Sequence, residues 1–403
     1  MKKLNKRFSN WLSKRAHNQR KRSSRKAIGR KRAPNVGKQF HSSMVQLWQG
    51  GKSENAICTK RPTPTPTFLC FSKNSTETNR FLANLRDRMF DGLRKGTVGF
   101  VHKRTPTSIP RITGYLDFSC LSEISLGAAV VLTADYDRMS KILGQVPPTI
   151  DLHKWQTSVV TKLNQLGFFN LLGHVPSTDK LIEDGPTLTM RIVRGTNADE
   201  LKTVDASLNV LGEFLREDES SSLDPTIVKV LTTISEAITN VTQHAYSAGL
   251  QYRHQHINSF WVAATADKTT RNLTVAVYDQ GATIPLTYPR LNLKEKAVRF
   301  LSSAIGGVPE FEYQHDGTYI RAAMRYGGSR TDQAFRGKGL PQMFRLMQSV
   351  GAGTMSIRSR GGWCTRRSTG RMTQGFADES IGGTLIEWTI ELGDAELGAR
   401  YVN

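Results

Sequence analysis

From about residue 76 onward, apolar positions recur at helical spacing or in short strand-like runs, and the elements they predict fall into two groups. In the first, Asn79–Leu93 has helical spacing, and Gly99–His102 and Arg111–Asp117 are short apolar runs suited to strands. Ser122–Leu143 reads as a helix rich in Ala, Val and Leu, and Lys154–Leu172 places Trp155, Val159, Leu163 and Leu166 on one helical side. Strand and helix in alternation predict a small α/β layer over residues 76–185. In the second group Thr187–Val193 reads as a strand, and Asp199–Arg216 and Asp224–Ser247 as helices. Phe260–Thr265 and Leu273–Asp279 alternate like antiparallel strands, and Ser356–Arg358 and Thr384–Glu391 supply two more. Helices segregated from an antiparallel sheet predict an α+β sandwich over residues 186–393, with a short tail over 394–403. No internal repeat is evident.

Charge sets the N-terminus apart. The formal net charge is +22, and residues 1–38 hold fifteen Lys or Arg with no Asp or Glu, leaving +7 for the other 365 residues. Few apolar groups there offset the entropy of ordering, so residues 1–52 are expected to be a basic, mostly disordered arm. Leu4, Phe8, Trp11 and Leu12 share one face of a potential short helix ringed by Lys and Arg. The arm is therefore expected to meet polyanions: nucleic acid, an anionic membrane surface, or neither specifically. Residues 53–75 read as a linker, because prolines alternate with threonines in Arg61–Thr67 and stop any helix.

The cysteines, Cys58, Cys70, Cys120 and Cys364, lie far apart and form no CxxC pair. That spacing predicts reduced thiols in a cytoplasmic protein, not a zinc site or a disulfide framework. The longest apolar run, around Leu126–Ala134, is about half the roughly 18–20 residues that span a bilayer, so no transmembrane segment is expected. The basic start has no apolar stretch behind it of the kind a signal peptide needs.

Three separated segments carry candidate chemistry. In Glu236–Tyr246 (EAITNVTQHAY), Glu236, Asn240 and His244 are four apart and share one helical stripe. Asn240 offers a side-chain oxygen suited to Mg²⁺, and Glu236, one turn earlier, can take a proton from an attacking water. Alone, the stripe also fits an ordinary exposed helix face. In Val275–Pro285 (VAVYDQGATIP) a strand ends in Asp279, and Gly281 lets the backbone turn sharply and approach a ligand. A carboxylate there can accept from the exocyclic amine of adenine, whereas guanine presents a carbonyl. Alone, DQG is also a common turn. In Arg336–Met343 (RGKGLPQM) a glycine-rich turn opens a helix, whose N–H groups, with Arg336 and Lys338, suit phosphates. The segment is not a Walker A loop.

In this order and spacing the three segments resemble the N, G1 and G2 boxes of the GHKL superfamily, the gyrase, heat-shock chaperone, histidine kinase and mismatch repair ATPases. Gly382–Thr384 (GGT) matches that family's last conserved element. The resemblance covers roughly residues 190–393 and implies a Bergerat-type α/β sandwich binding ATP and Mg²⁺. It implies Glu236 as general base and Asn240 as Mg²⁺ ligand. Asp279 would read adenine, Gly281 would form the turn beneath it, and Thr384 would stand beside the adenine-linked water. Gly337 and Gly339 match the phosphate-lid glycines, and His244, Arg336, Lys338 and Leu340 complete the expected nucleotide contacts. Leu286–Arg336 corresponds to a mobile ATP lid, longer than usual, with a helix-like Thr318–Tyr326 and a hinge near Gly327–Arg330.

Leu116–Met139 resembles the central strand–turn–helix of STAS domains, the fold of anti-anti-sigma factors, through Asp117, Phe118, Ser119, Leu121 and Ile124. The family's phosphorylated serine falls on Leu126 and the preceding aspartate on Ser125, so the domain is expected to be STAS-like in shape without the phosphoswitch. Histidine autophosphorylation is not expected, since His153 precedes Lys154 and His174 precedes Val175, not an acid. The leading expectation is an ATPase or ATP-dependent switch that engages a protein partner through the STAS-like domain and the arm, with a homodimer among its forms. The alternatives are a protein serine/threonine kinase resembling the anti-sigma-factor kinases, and a non-hydrolysing ATP sensor with a nucleic-acid-binding arm.

Overall fold

One eight-stranded antiparallel sheet organises the chain. From edge to edge it runs Met372–Phe376, Gly362–Arg367, Ala352–Ser359, Thr384–Glu391, Asn272–Asp279, Phe260–Asp267, Thr187–Gly195 and Leu181–Asp184. The computed structural model describes residues 42–49, 51–94, 108–112, 114–144, 147–173, 181–196, 198–216, 233–235, 238, 245–246, 252–290, 295–305, 312–327, 340–341, 343 and 352–391. By packing, Ser43–Asn403 is one compact unit; the other, Met1–Ser42, contributes only Ser42 to the described residues.

The central strands are apolar at nearly every position because both of their faces are covered. On one face Val262, Val275, Val277, Trp388 and Ile390 meet Val204, Leu208 and Leu211 of the Ala198–Phe214 helix, together with Ile234 and Ile238. On the other, Trp261, Ala263, Ala276, Tyr278 and Leu385 join a core built by Leu82, Leu85 and the Leu126–Leu143 helix. Alternation along each strand sends successive side chains to opposite faces, so a strand sandwiched between two layers needs apolar residues at both parities. Trp261 and Tyr278 are both 0% exposed under the second layer.

The Leu126–Leu143 helix has defined ends. Ser125 accepts from the Ala128 N–H at 3.3 Å, and Gly144 takes the left-handed conformation (φ 64°) past its last turn. The expected helix from Ser122 therefore starts later, because Glu123–Ile124 pairs in parallel with Phe68–Leu69. Its N-terminal amides face the sheet: the Gly127 N–H donates to the Glu387 carboxylate, and a Cβ on Gly127 would lie 2.2 Å from Glu387 Oε2.

Several elements depart from the sequence reading. Ser43–Gln49 and Lys52–Cys58 form a hairpin within a four-stranded sheet that also holds Arg111–Ile112 and Thr149–Ile150. The expected disordered arm through residue 52 is thus corrected: strand structure begins at Ser43, where Val45 and Leu47 pack against Ala56, Cys58, Ile112 and Ile150. The Pro/Thr stretch is extended as expected but is a paired segment, not a free linker. Thr63 and Thr65 donate to Tyr115 and Asp117 carbonyls at 2.9 Å each, leaving the prolines where no N–H is needed. The helix expected over Lys154–Leu172 breaks into Thr157–Gln165 and Phe168–Leu171 at Gly167 (φ 78°). The division near residue 185 is not a break in packing, since the segment read as a small α/β domain shares its core with the large sheet. Gly99–His102 lies outside the described residues, as does most of Asp224–Ser247.

Among the described residues no helix is long and apolar enough to cross a membrane. Cys58, Cys70 and Cys364 are buried free thiols, and Cys120 is exposed.

Candidate functional site

The strand Asn272–Asp279 ends with Asp279 paired opposite Thr384, which in turn pairs with Ser359. Both Asp279 and Thr384 belong to the strand parity that faces the Ala198–Phe214 helix side. Thr384 and Ser359 hydroxyls lie 2.8 Å apart, and Ser359 Oγ also accepts from the Ile284 N–H at 2.9 Å. Three polar side chains thus stand side by side at the ends of three neighbouring strands.

Asp279 is 4% exposed, and its Oδ1 accepts from the Gly281 N–H at 2.8 Å. Its Oδ2 has no hydrogen-bond partner among the described residues. Loss of water around the carboxyl raises its pKa to about 7, against the smaller opposing pull of the Gly281 N–H. A buried acid with one oxygen uncommitted is a strong acceptor for a ligand N–H, which would restore what burial removes.

Glycines bring backbones together around this acid. A Cβ on Gly281 would lie 2.3 Å from the Ala245 carbonyl oxygen, and the Ala282 N–H donates to that same oxygen at 2.6 Å. The turn after Asp279 is therefore pressed against the chain directly after His244. A Cβ on Gly383 would lie 1.7 Å from the Asp279 carbonyl oxygen, so the glycine pair before Thr384 is required by close approach of the two strands. Gly382 has φ +84° and sits against the Arg86 guanidinium.

Next to Asp279 the chain turns to the opposite face. Gln280 Nε2 donates to Asp135 Oδ1 at 3.0 Å, and the same carboxylate accepts from Arg86 Nε at 3.1 Å and Arg138 Nη2 at 2.9 Å. Arg86 further donates to the Ser380 and Ile381 carbonyls at 3.0 and 2.7 Å. All four side chains are buried, and the two guanidiniums share one carboxylate. This cluster ties the Ser75–Arg94 and Leu126–Leu143 helices to the backbone on both sides of the candidate site. Sequence reasoning missed Arg86, Asp135, Arg138 and Gln280, as well as Ser359. The available signal was the run of charged residues Asp135, Asp137 and Arg138 in the middle of a largely apolar helix.

Part of the stretch read as a mobile lid is anchored. The Asp316–Tyr326 helix packs on the Gly362–Arg367 and Met372–Phe376 strands, where a Cβ on Gly317 would lie 2.7 Å from the Gly375 carbonyl oxygen. Asp316 accepts from Arg360 Nε at 2.9 Å and the Gly361 N–H at 3.0 Å. Burial raises the Asp316 pKa to about 6, with Arg360 opposing. Leu340 is partly buried and packs between the main core and a cluster of Tyr288, Leu301 and Tyr319. Glu236, Asn240, His244, Arg336, Gly337, Lys338 and Gly339 lie outside the described residues.

No protein-family model matches this chain, and no curated protein does.

Proposed function

We propose that the chain binds ATP with Mg²⁺ in a Bergerat-type pocket of the GHKL kind and serves as an ATPase or ATP-dependent switch. The observation that carries the reading is Asp279: a buried carboxylate with one oxygen uncommitted, opposite Thr384 at the ends of adjacent strands. An adenine exocyclic amine would donate to that oxygen, and Thr384, supported by Ser359, would hold the neighbouring polar edge of the base. The order of the sheet supports the reading too, since the strands that carry Asp279 and Thr384 are neighbours at its centre. In this reading Asn240 holds Mg²⁺, Glu236 activates water, and Arg336–Leu340 face the phosphates. Mg²⁺ would supply charge neutralisation for the phosphate oxygens.

Titration calorimetry with Mg²⁺ tests the nucleotide. ATP is expected to bind, and GTP to bind about 5- to 150-fold more weakly, as loss of one buried hydrogen bond of about 1–3 kcal/mol requires. Asp279→Asn is expected to remove most of the ATP affinity. Equal affinity for GTP in the unaltered protein would refute the assignment. Incubation with γ-labelled ATP then separates the activities. Label released as free phosphate, and lost about 10²–10⁴-fold in Glu236→Ala, supports hydrolysis. Label on protein would instead support the kinase reading.

A further inference from the structure

A cavity of about 210 Å³ lies beneath the small four-stranded sheet, where Ile112 and Ile150 face the Ser75–Arg94 and Leu126–Leu143 helices. It is separate from the Asp279 group, none of whose side chains lines it. Phe118, Trp155 and Phe168 form its floor, and these rings are already locked to one another or to their neighbours. Phe118 stacks on Trp155 with centroids 4.5 Å apart, Phe168 meets Tyr136 edge-on at 5.4 Å, and Trp155 Nε1 donates to the Ile150 carbonyl at 3.0 Å. Such walls do not collapse into the space they enclose, because each ring is held by contacts on its far side.

Arg88, Tyr115, Tyr136 and Thr149 carry the polar side chains of the lining. Tyr136 is 9% exposed, and its hydroxyl has no hydrogen-bond partner among the described residues. Arg88 is exposed at the rim, where it donates to Thr63 Oγ1 and has no carboxylate within salt-bridge distance among the described residues. Asp151, next in the chain to the lining residue Ile150, is already engaged: it accepts from Lys154 at 2.7 Å and from the Tyr115 hydroxyl at 3.4 Å. An aromatic chamber with an unpartnered phenol inside and an available guanidinium at its mouth suits a ring carrying an anionic group. Its volume exceeds the roughly 150 Å³ cavity that accommodates benzene, leaving space for one ring and a short substituent.

We propose that this cavity is a binding site for a small aromatic carboxylate, its ring on Phe118, Trp155 and Phe168 and its carboxylate at Arg88. The inference stands apart from the ATP reading. Tyr136 is the chain neighbour of Asp135, whose carboxylate holds Gln280, so an occupant touches the helix that braces the Asp279 turn.

Fluorine NMR on the full chain tests it, with 4-fluorobenzoate and the neutral 4-fluorotoluene as probes. Saturable broadening of the 4-fluorobenzoate line is expected, undiminished by saturating ATP and Mg²⁺. Arg88→Gln, on an exposed side chain, is expected to weaken 4-fluorobenzoate about tenfold while leaving 4-fluorotoluene within about twofold, since only the charged contact is lost. Met89→Trp fills the cavity and is expected to abolish both; Leu116→Trp, on a second half-buried lining residue, does the same if Met89→Trp does not fold. Absence of saturable binding by either probe overturns the site. So does binding that survives both filling variants, or competitive displacement by ATP. Equal binding of both probes with no effect of Arg88→Gln overturns the anionic class of ligand.

Discussion

Asp279 and Gln280 are adjacent in the chain and serve opposite faces of the sheet: the Asp279 carboxylate ends the face covered by the Ala198–Phe214 helix, while the Gln280 amide reaches Asp135 on the other. The candidate site and the clamp that holds the second layer are therefore one peptide bond apart. Changes made to either should be felt at both.

Stability should depend on pH through Asp279. The unfolded carboxyl titrates near 3.8 and the folded one near 7, so between these values the folded chain keeps a proton that the unfolded chain has lost. Stability in the absence of nucleotide therefore falls as pH rises from about 4 to 7, by at most about 4 kcal/mol. Asp279→Asn, which keeps an acceptor for the Gly281 N–H, should melt higher than the parent at pH 8, with the gap closing towards pH 4. Thermal melts across that range check this; a gap independent of pH would mean that Asp279 is not the buried acid responsible.

Asp135 should be the most sensitive single position in the clamp. Removing its carboxylate in Asp135→Ala leaves Arg86 and Arg138 buried side by side without an anion, which should cost about 3–5 kcal/mol or more. Chemical denaturation should show the loss as a lower midpoint. A change under about 1 kcal/mol would mean that water reaches the arginines.

Gly127 and Glu387 should be energetically coupled. Gly127→Ala drives a methyl into the Glu387 carboxylate and should cost about 1–3 kcal/mol. Shortening the acid in Glu387→Asp makes room for that methyl, so the double variant should lose less than the sum of the singles. A double-mutant cycle reads the difference, and strict additivity would exclude the contact.

Gly281→Ala should weaken the fold at the candidate site because the new Cβ meets backbone, not a movable side chain, at Ala245. About 1–3 kcal/mol is expected, along with reduced nucleotide affinity if the Asp279 turn reads adenine. Retention of both the melting temperature and the affinity would show that the turn can move away from Ala245.

The large sheet was legible because its strands end in turn residues and carry strong apolar runs; Phe260–Asp267, Asn272–Asp279 and Thr384–Glu391 fall within two residues of the sequence reading. Its second covered face was also written there, in Trp261, Ala263, Ala276 and Tyr278 at the parity that a one-sided sheet would leave polar. The Ser43–Cys58 hairpin was hidden by its own outer face, since Gln, Lys, Glu and Asn alternate with only four inward residues. Strands Gly362–Arg367 and Met372–Phe376 were hidden likewise, because Gly362, Arg366, Gln374 and Gly375 interrupt the apolar alternation of two short strands. Asp279, Gly281 and Thr384 were readable from local motifs. The Asp135 cluster was not, because its members come from positions 86, 135, 138 and 280 and only folding brings them together.

The covered second face sets a practical limit on dissecting this protein. A chain trimmed to residues 186–393 would keep every residue of the nucleotide reading yet strip the roof from Trp261, Ala263, Ala276, Tyr278 and Leu385. Those side chains would form a contiguous greasy plane in water, with Gln280 released from its anion. Such a fragment should self-associate or precipitate even if its strands still pair, much as a half-sandwich seeks its missing slice. Activity assigned to that fragment alone would then report on an aggregate.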